Sequence, residues 1–182
     1  MFRSRLSSLF PLPDDQLERL ESHYRLLVKW NRVINLTRVD DEDEAAVRHF
    51  GEAIFLARCL PVGPLTVVDV GSGGGFPGLP VAVVRPECAV TLIESDLRKS
   101  AFLKEATRGW PNCRVLGKRA EAVTETFDWV VSRAVSWDDL RRFGQHLSPR
   151  TALLSTEPSP SGAVWTQFPL PWDANRYVVC ST

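Results

Sequence analysis

The sequence predicts an α/β fold, a mostly parallel sheet with a helical cap before it and an antiparallel strand closing its C-terminal end. Three observations carry this. In Thr66–Gly78, TVVDVGSGGGFPG, a short apolar run breaks into Gly71, Gly73, Gly74 and Gly75. Glycine reaches positive φ cheaply and lets a ligand approach the main chain, so strand, turn and helix read as the cradle of a nucleotide-like cofactor. After this turn, short apolar runs alternate with helical patterns, which implies a parallel sheet with ligands at the carboxyl ends of its strands. Before it, apolar residues recur at helical spacing.

Taken in order, Asp15-Gln-Leu-Glu18 has the spacing of a capping box, followed by Leu17, Leu20, Tyr24 and Leu27 on one helix face. A second helix is expected from about Asp43 to Leu60, burying Val47, Phe50, Ile54 and Ala57 and stopped by Pro61-Val-Gly-Pro64. Thr66–Val70 is the first strand and Leu79–Val84 its helix, with Pro77 and Pro80 where a missing N–H costs nothing. Ala89–Ile93 is a strand and Ser95–Thr107 a helix capped by Ser95 or Asp96. Arg114–Leu116, Phe127–Val131 and Thr151–Leu154 are further strands, with a helical turn at Arg119–Ala122 and a helix at Asp138–His146. Phe168–Trp172 and Tyr177–Cys180 read as a closing antiparallel pair, after a loop at Glu157–Gly162.

A chain of 182 residues, 44% hydrophobic and 24% charged, fits one globular domain, here 1–182 with a cap at 1–62 and a core at 63–182. The formal net charge is zero, so any RNA contact must come from a local patch. The four cysteines form no C-x-x-C pair, which indicates neither a zinc site nor a disulfide framework. No apolar run has membrane-spanning length and none near the start suits a secretory signal, so the expected location is the cytoplasm.

Which cofactor the turn holds is decided by its neighbours. Gly73-x-Gly75-x-x-Gly78 alone fits a dinucleotide pattern. Yet Asp69, two residues before Gly71, gives D-x-G-x-G-x-G, which resembles motif I of the class I S-adenosylmethionine-dependent methyltransferases. A carboxylate there disfavours a pyrophosphate but suits a cationic methionine end. Glu94 closes the next strand, where an acidic side chain accepts from ribose hydroxyls. An NAD-dependent oxidoreductase is disfavoured by Asp69 and by Phe76.

Beyond the turn, Asn31–Thr37 (NRVINLT), Arg48-His49-Phe50, Asp69–Gly78 with Pro80, Ile93-Glu-Ser95, Arg98-Lys99 with Phe102-Leu103, Arg119-Ala-Glu121 and Val131-Ser-Arg-Ala134 resemble the bacterial small-subunit rRNA guanine-N7 methyltransferases, also called glucose-inhibited division protein B. The resemblance implies a Rossmann-like class I methyltransferase that uses S-adenosyl-L-methionine and acts on 16S rRNA or a small ribosomal subunit precursor, read here as a monomer. It also implies that Gly71 and Phe76 line the cofactor site, that Ala120 and Glu121 border the adenine, and that Arg133 sits where cofactor and base meet.

Cofactor contacts are therefore expected from Asp69, Gly71, Gly73, Gly75, Phe76, Glu94, Ala120, Glu121 and Arg133, with Arg133 also the catalytic candidate. Arg133 has a structural alternative, an ion pair with Asp69 or Glu94. Guanine N7 already offers a lone pair, so the reaction needs alignment and electrostatics rather than a base, and no nucleophile is singled out. Asn35, Arg98 and Lys99 are the substrate-binding candidates, and Asn35 either meets a base edge or caps a turn. Arg32, Arg38, Arg48, Lys104 and Arg119 add positive charge. His23 and His146 read as structural or exposed, while His49 is open between structure and site. Trp30 and Trp137 are the tryptophans placed for stacking, Trp129 for the core.

The chain departs from the family pattern in four places. Ser155-Thr156 replaces a lysine-glycine pair, a helix before the last strands gives way to EPSPSG, the closing lysines are missing, and Glu94 replaces Asp. Another methyltransferase substrate (a different RNA, a small molecule or a protein) and a binding protein that has lost catalysis are the competing readings.

Overall fold

The computed structural model describes residues 1–39, 41–133, 146–156 and 165–181. Within them runs a seven-stranded sheet of order β3-β2-β1-β4-β5-β7-β6, built from β1 Thr66–Val70, β2 Ala89–Ile93, β3 Cys113–Leu116, β4 Trp129–Arg133, β5 Thr151–Ser155, β6 Trp165–Leu170 and β7 Asp173–Ser181. β1 pairs in parallel with both β2 and β4, β2 with β3, and β4 with β5. β7 runs antiparallel to β5 and to β6, the closing pair the sequence predicts, with both strands longer than expected. Pro169 sits in β6, an edge strand, where a missing N–H is tolerated. The chain order reverses between β1 and β4, and a crevice opens at such a switch point.

The two-residue period of a strand divides the core. Val67, Trp129 and Val131 face one side of the sheet; there they join a cluster with Leu20 and Leu27 of the cap, Leu79 and Phe102. Val68, Val70 and Val130 face the other side, with Ile93, Val123, Phe127 and Leu153. By the same alternation Asp69 and Arg133 belong to the cap side, and this decides what each can touch.

The cap comprises α1 Phe2–Leu9, α2 Asp14–Asn31, α3 Glu42–Ala45, a π-helical turn Ala46–Gly51 and α4 Glu52–Cys59. α1 was not expected: Phe2, Leu6 and Phe10 repeat every fourth residue and bury fully, with Phe2 stacked on Tyr24 at 4.9 Å. The capping box does not form. α2 begins a residue earlier at Asp14, behind Pro13, with no side-chain cap, so Asp15 lies inside the first turn. The expected second helix exists but widens through the π turn, and Val47 is only half-buried. α5 Gly78–Val84 follows the glycine turn, and α6 Leu97–Ala106 is capped by Asp96, whose carboxylate accepts from the N–H groups of Arg98 and Lys99. A short 3-10 turn, Ala120–Ala122, precedes β4. The expected helix at Asp138–His146 and the loop at Glu157–Gly162 lie largely or wholly outside the described residues.

Candidate active site

The turn after β1 is held from beneath. Asp69 is fully buried, and its Oδ2 accepts the Gly78 N–H at 2.9 Å, tying the strand end to the start of α5. Burial pushes its pKa up to about 7 against the opposing pull of that N–H. The carboxylate expected to face the cofactor is thus turned into the strand–helix junction, on the cap side of the sheet. Gly75 belongs to the same support: a Cβ there would stand 2.5 Å from Leu79 Cδ1. His23 of α2 completes it, with Nε2 2.8 Å from the Gly74 carbonyl oxygen. Its complete burial lowers its pKa to about 4, so the ring is neutral and Nε2 carries the donated proton.

Above this support lie two cavities that share Gly71. The smaller, about 170 Å³, is walled by Val70, Ile93 and Ala120, with Glu94, Glu121, Lys118 and Arg119 around it. Glu94 is 8% exposed and each carboxylate oxygen already accepts one N–H: Oε2 from Gly73 at 2.9 Å, Oε1 from Asp96 at 2.8 Å. Each oxygen keeps a second lone pair for a hydroxyl. The larger cavity, about 670 Å³, is bounded by Gly71–Gly74 and Phe76 on one side, by Asn35–Val39 on another, and by His49 and Arg133 at its base. A nucleoside fits this pair of spaces. At Gly73, φ is +52° and a Cβ would meet nothing closer than the Gly71 carbonyl at 3.8 Å, which leaves the backbone open to a ligand.

Arg133 leaves the end of β4 on the cap side. Its Nη1 donates to the Arg48 carbonyl at 2.9 Å and lies 2.6 Å from His49 Nδ1. Neither Asp69 nor Glu94 is its partner, so the ion-pair alternative is replaced by contacts with the π turn. That turn shifts the helix register and brings His49 to the cavity floor, stacked on Phe76 at 4.9 Å. Burial, then the charge of Arg133, lowers the His49 pKa to about 3. Behind it, Glu52 is 1% exposed and holds Arg176, which donates from Nη2 to Oε2 at 2.8 Å. Burial pulls the Arg133 pKa below its ordinary value while Glu52 opposes, and the guanidinium stays charged.

The NRVINLT segment acts as a strap. Asn31 Oδ1 accepts from the N–H groups of Leu36 and Thr37 at 2.8 and 3.0 Å, and its Nδ2 donates to the Thr37 carbonyl at 3.0 Å. This fixes Thr37 over the larger cavity, a residue the sequence reading did not single out. Asn35 is exposed and lines both this cavity and a shallow one with Arg98 and Lys99, so the three substrate candidates meet on one rim. Trp30 instead donates to Glu105 Oε2 at 3.2 Å and packs edge-on to Phe102, a structural position, and Trp129 is buried. Trp137 lies outside the described residues. Burial drives the thiols of Cys59 and Cys113 up to about 12 and of Cys180 up to about 11, which makes them poor nucleophiles.

A doubly wound sheet with an antiparallel seventh strand and a glycine turn at its switch point, flanked by an acid at the end of β2, is the class I S-adenosylmethionine-dependent methyltransferase fold. Solved structures agree. The chain is similar to a SAM dependent methyltransferase from Aquifex aeolicus (TM-score 0.59, 15% identity, 80% of this chain and 95% of that one). It is equally similar to a methyltransferase from Pyrococcus furiosus (TM-score 0.59, 15% identity, 88% and 96%). These identities speak for the fold alone. The family model GidB, rRNA small subunit methyltransferase G, matches residues 16–155, and the chain belongs to that family. Among its relatives, the ribosomal RNA small subunit methyltransferase G of Neisseria gonorrhoeae is 38% identical over 146 residues, covering 74% of this chain and 70% of that protein. The one from Chromobacterium violaceum is 39% identical over 129 residues, covering 69% of this chain and 61% of its own length.

Proposed function

We propose that this chain transfers a methyl group from S-adenosyl-L-methionine to N7 of a guanine in small-subunit (16S) ribosomal RNA, with Arg133 at the reacting centre. The observation that carries the reading is the larger cavity. A glycine backbone, an immobilised guanidinium and a strap with an exposed amide surround it, and the described residues around it offer no free base. Family membership supplies the substrate class.

When bound, the cofactor supplies an electrophilic methyl on a sulfonium. Everything else falls to the chain. Glu94 accepts from the ribose hydroxyls while keeping the Gly73 and Asp96 N–H groups, and Ala120 and Glu121 border the adenine beside Val70 and Ile93. Gly71, Gly73 and Phe76 form the wall beneath the methionine end, which Asp69 and Gly75 hold in shape from below. Arg133 holds the π turn through Nη1 and offers the rest of its guanidinium to a carboxylate or to guanine O6, and its charge disfavours protonation of His49. His49 therefore stays neutral and orients its neighbours rather than taking a proton. Asn35, Arg98 and Lys99 hold the RNA at the rim.

The cap at 1–62 and the core at 63–182 form one domain in this reading, supported by the hydrophobic cluster they share. The protein works as a cytoplasmic monomer on a small ribosomal subunit precursor; among the described residues no helix is long and apolar enough to cross a membrane. The test is transfer of labelled methyl from the cofactor to small-subunit rRNA taken from cells lacking this enzyme. Labelling of that RNA alone is expected. Labelling of a protein or small molecule in its place refutes the substrate.

A further inference from the structure

We propose that the Thr37 hydroxyl donates a hydrogen bond to O6 of the target guanine and so distinguishes guanine from adenine at the methylated position. This rests on the guanine-N7 reading above and adds the residue that reads the base.

The donors and acceptors around Thr37 Oγ1 leave its proton one direction to go. A guanidinium only donates. Arg133 Nη1 lies 2.6 Å from His49 Nδ1, so Nδ1 is the acceptor and the proton of the neutral ring is on Nε2. Nε2 is 2.5 Å from Thr37 Oγ1, and it donates there. The Val39 N–H donates to the same oxygen at 3.0 Å. Both lone pairs of Oγ1 are then filled, and its own proton has no hydrogen-bond acceptor among the described residues. Thr37 borders the larger cavity, where that proton can point.

An ordinary hydroxyl reads nothing, since it turns to donate or to accept as required. Here Arg133 and His49 have removed the second option and made it a donor only. Guanine and adenine share the acceptor N7, so attack through N7 does not separate them. They differ at the neighbouring 6-position, which is an acceptor in guanine and an amino donor in adenine. A donor-only group on the wall beside N7 is paired by one base and opposed by the other. The Asn31 clamp fixes the Thr37 backbone, so the hydroxyl cannot swing away with its loop. The low pKa of His49 keeps this arrangement through the neutral range.

The test uses the full chain and small-subunit rRNA carrying either guanine or 2-aminopurine at the target; 2-aminopurine keeps N7 and lacks O6. For the wild type, kcat/KM should fall about 10- to 100-fold on 2-aminopurine relative to guanine. Thr37→Val should lose a similar factor on guanine and show little further loss on 2-aminopurine. Thr37→Ser, which keeps the hydroxyl, should restore the discrimination. Binding of S-adenosylhomocysteine by both variants should match the wild type, which also shows that they fold. Wild-type-like discrimination by Thr37→Val overturns the assignment to Thr37 alone. A parallel loss of S-adenosylhomocysteine affinity in Thr37→Val also overturns it, since the hydroxyl then serves the cofactor. No transfer to guanine by the wild type refutes the reading beneath it as well.

Discussion

Two glycines of the same turn should fail in opposite ways when given a methyl group. At Gly78 a Cβ would lie 2.3 Å from Leu92 Cδ2 and 2.7 Å from Asp69 Oδ2. Carbon atoms rest at about 3.5–4.0 Å, and Leu92 and Asp69 are both fully buried. Overpacking of this kind costs about 1–3 kcal/mol. Displacing Asp69 also strains a carboxylate that has one buried oxygen without a partner among the described residues and the Gly78 N–H on the other. That adds about 1–3 kcal/mol. Gly78→Ala should then lose about 3 kcal/mol, or about 6–12 °C in Tm for a domain of this size. At Gly73 the added methyl would meet only the Gly71 carbonyl, at 3.8 Å. The cost there is the left-handed φ, about 1–2 kcal/mol, and a group standing in the ligand space. Gly73→Ala should therefore melt about 2–8 °C below wild type, less of a drop than Gly78→Ala, yet bind S-adenosylhomocysteine about tenfold or more weakly. Differential scanning calorimetry gives the first quantity, and isothermal titration well below both Tm values gives the second. An unchanged Tm for Gly78→Ala, or wild-type affinity for Gly73→Ala, refutes the separation between the support of the turn and its ligand face.

Arg133→Ala should reduce kcat/KM for methyl transfer at least about 100-fold while the protein still melts cooperatively. Near-normal transfer removes Arg133 from the reacting centre. His23, held neutral by burial down to about pH 4, contributes stability that is complete above its unfolded pKa of 6.5 and falls as pH drops through that window. The advantage of wild type over His23→Gln in urea unfolding should thus shrink by about 2 kcal/mol from pH 7 to pH 5, at about 1.4 kcal/mol per pH unit. A constant difference contradicts a neutral buried ring. Exchanging Arg98 and Lys99 for Glu should weaken RNA binding and flatten its salt dependence by about 1–2 in log–log slope, leaving S-adenosylhomocysteine affinity intact; an unaltered slope takes these residues off the RNA path.

The strand–turn–helix at Thr66–Val84 was legible because glycine spacing and apolar runs are local signals. The same holds for the alternation that follows and for the closing antiparallel pair. Direction was not legible in the same way. Asp69 sits in the right sequence motif, but a period of two sends its side chain to the cap side, under α5, where only the assembled sheet shows it accepting from Gly78. The π turn carries no pattern of its own, yet its extra residue is what lowers His49 onto Phe76 and within reach of Arg133. Pro13 fixes φ and starts α2 early, which overrides a capping box that reads well on paper. α1 escaped because three apolar residues spaced by four amid serine and arginine are a thin signal until Tyr24 and Phe50 close over them. Thr37 could not be found by residue type at all. Its role comes from which lone pairs its neighbours occupy.

The most direct measurement is a crystal structure of the chain with S-adenosylhomocysteine. The ribose hydroxyls should lie on Glu94, the adenine between Ile93 and Ala120, and the sulfur in the cavity floored by Phe76 and Arg133, open toward Thr37. The ligand seated elsewhere, or no binding at concentrations that saturate other methyltransferases of this fold, would contradict the account.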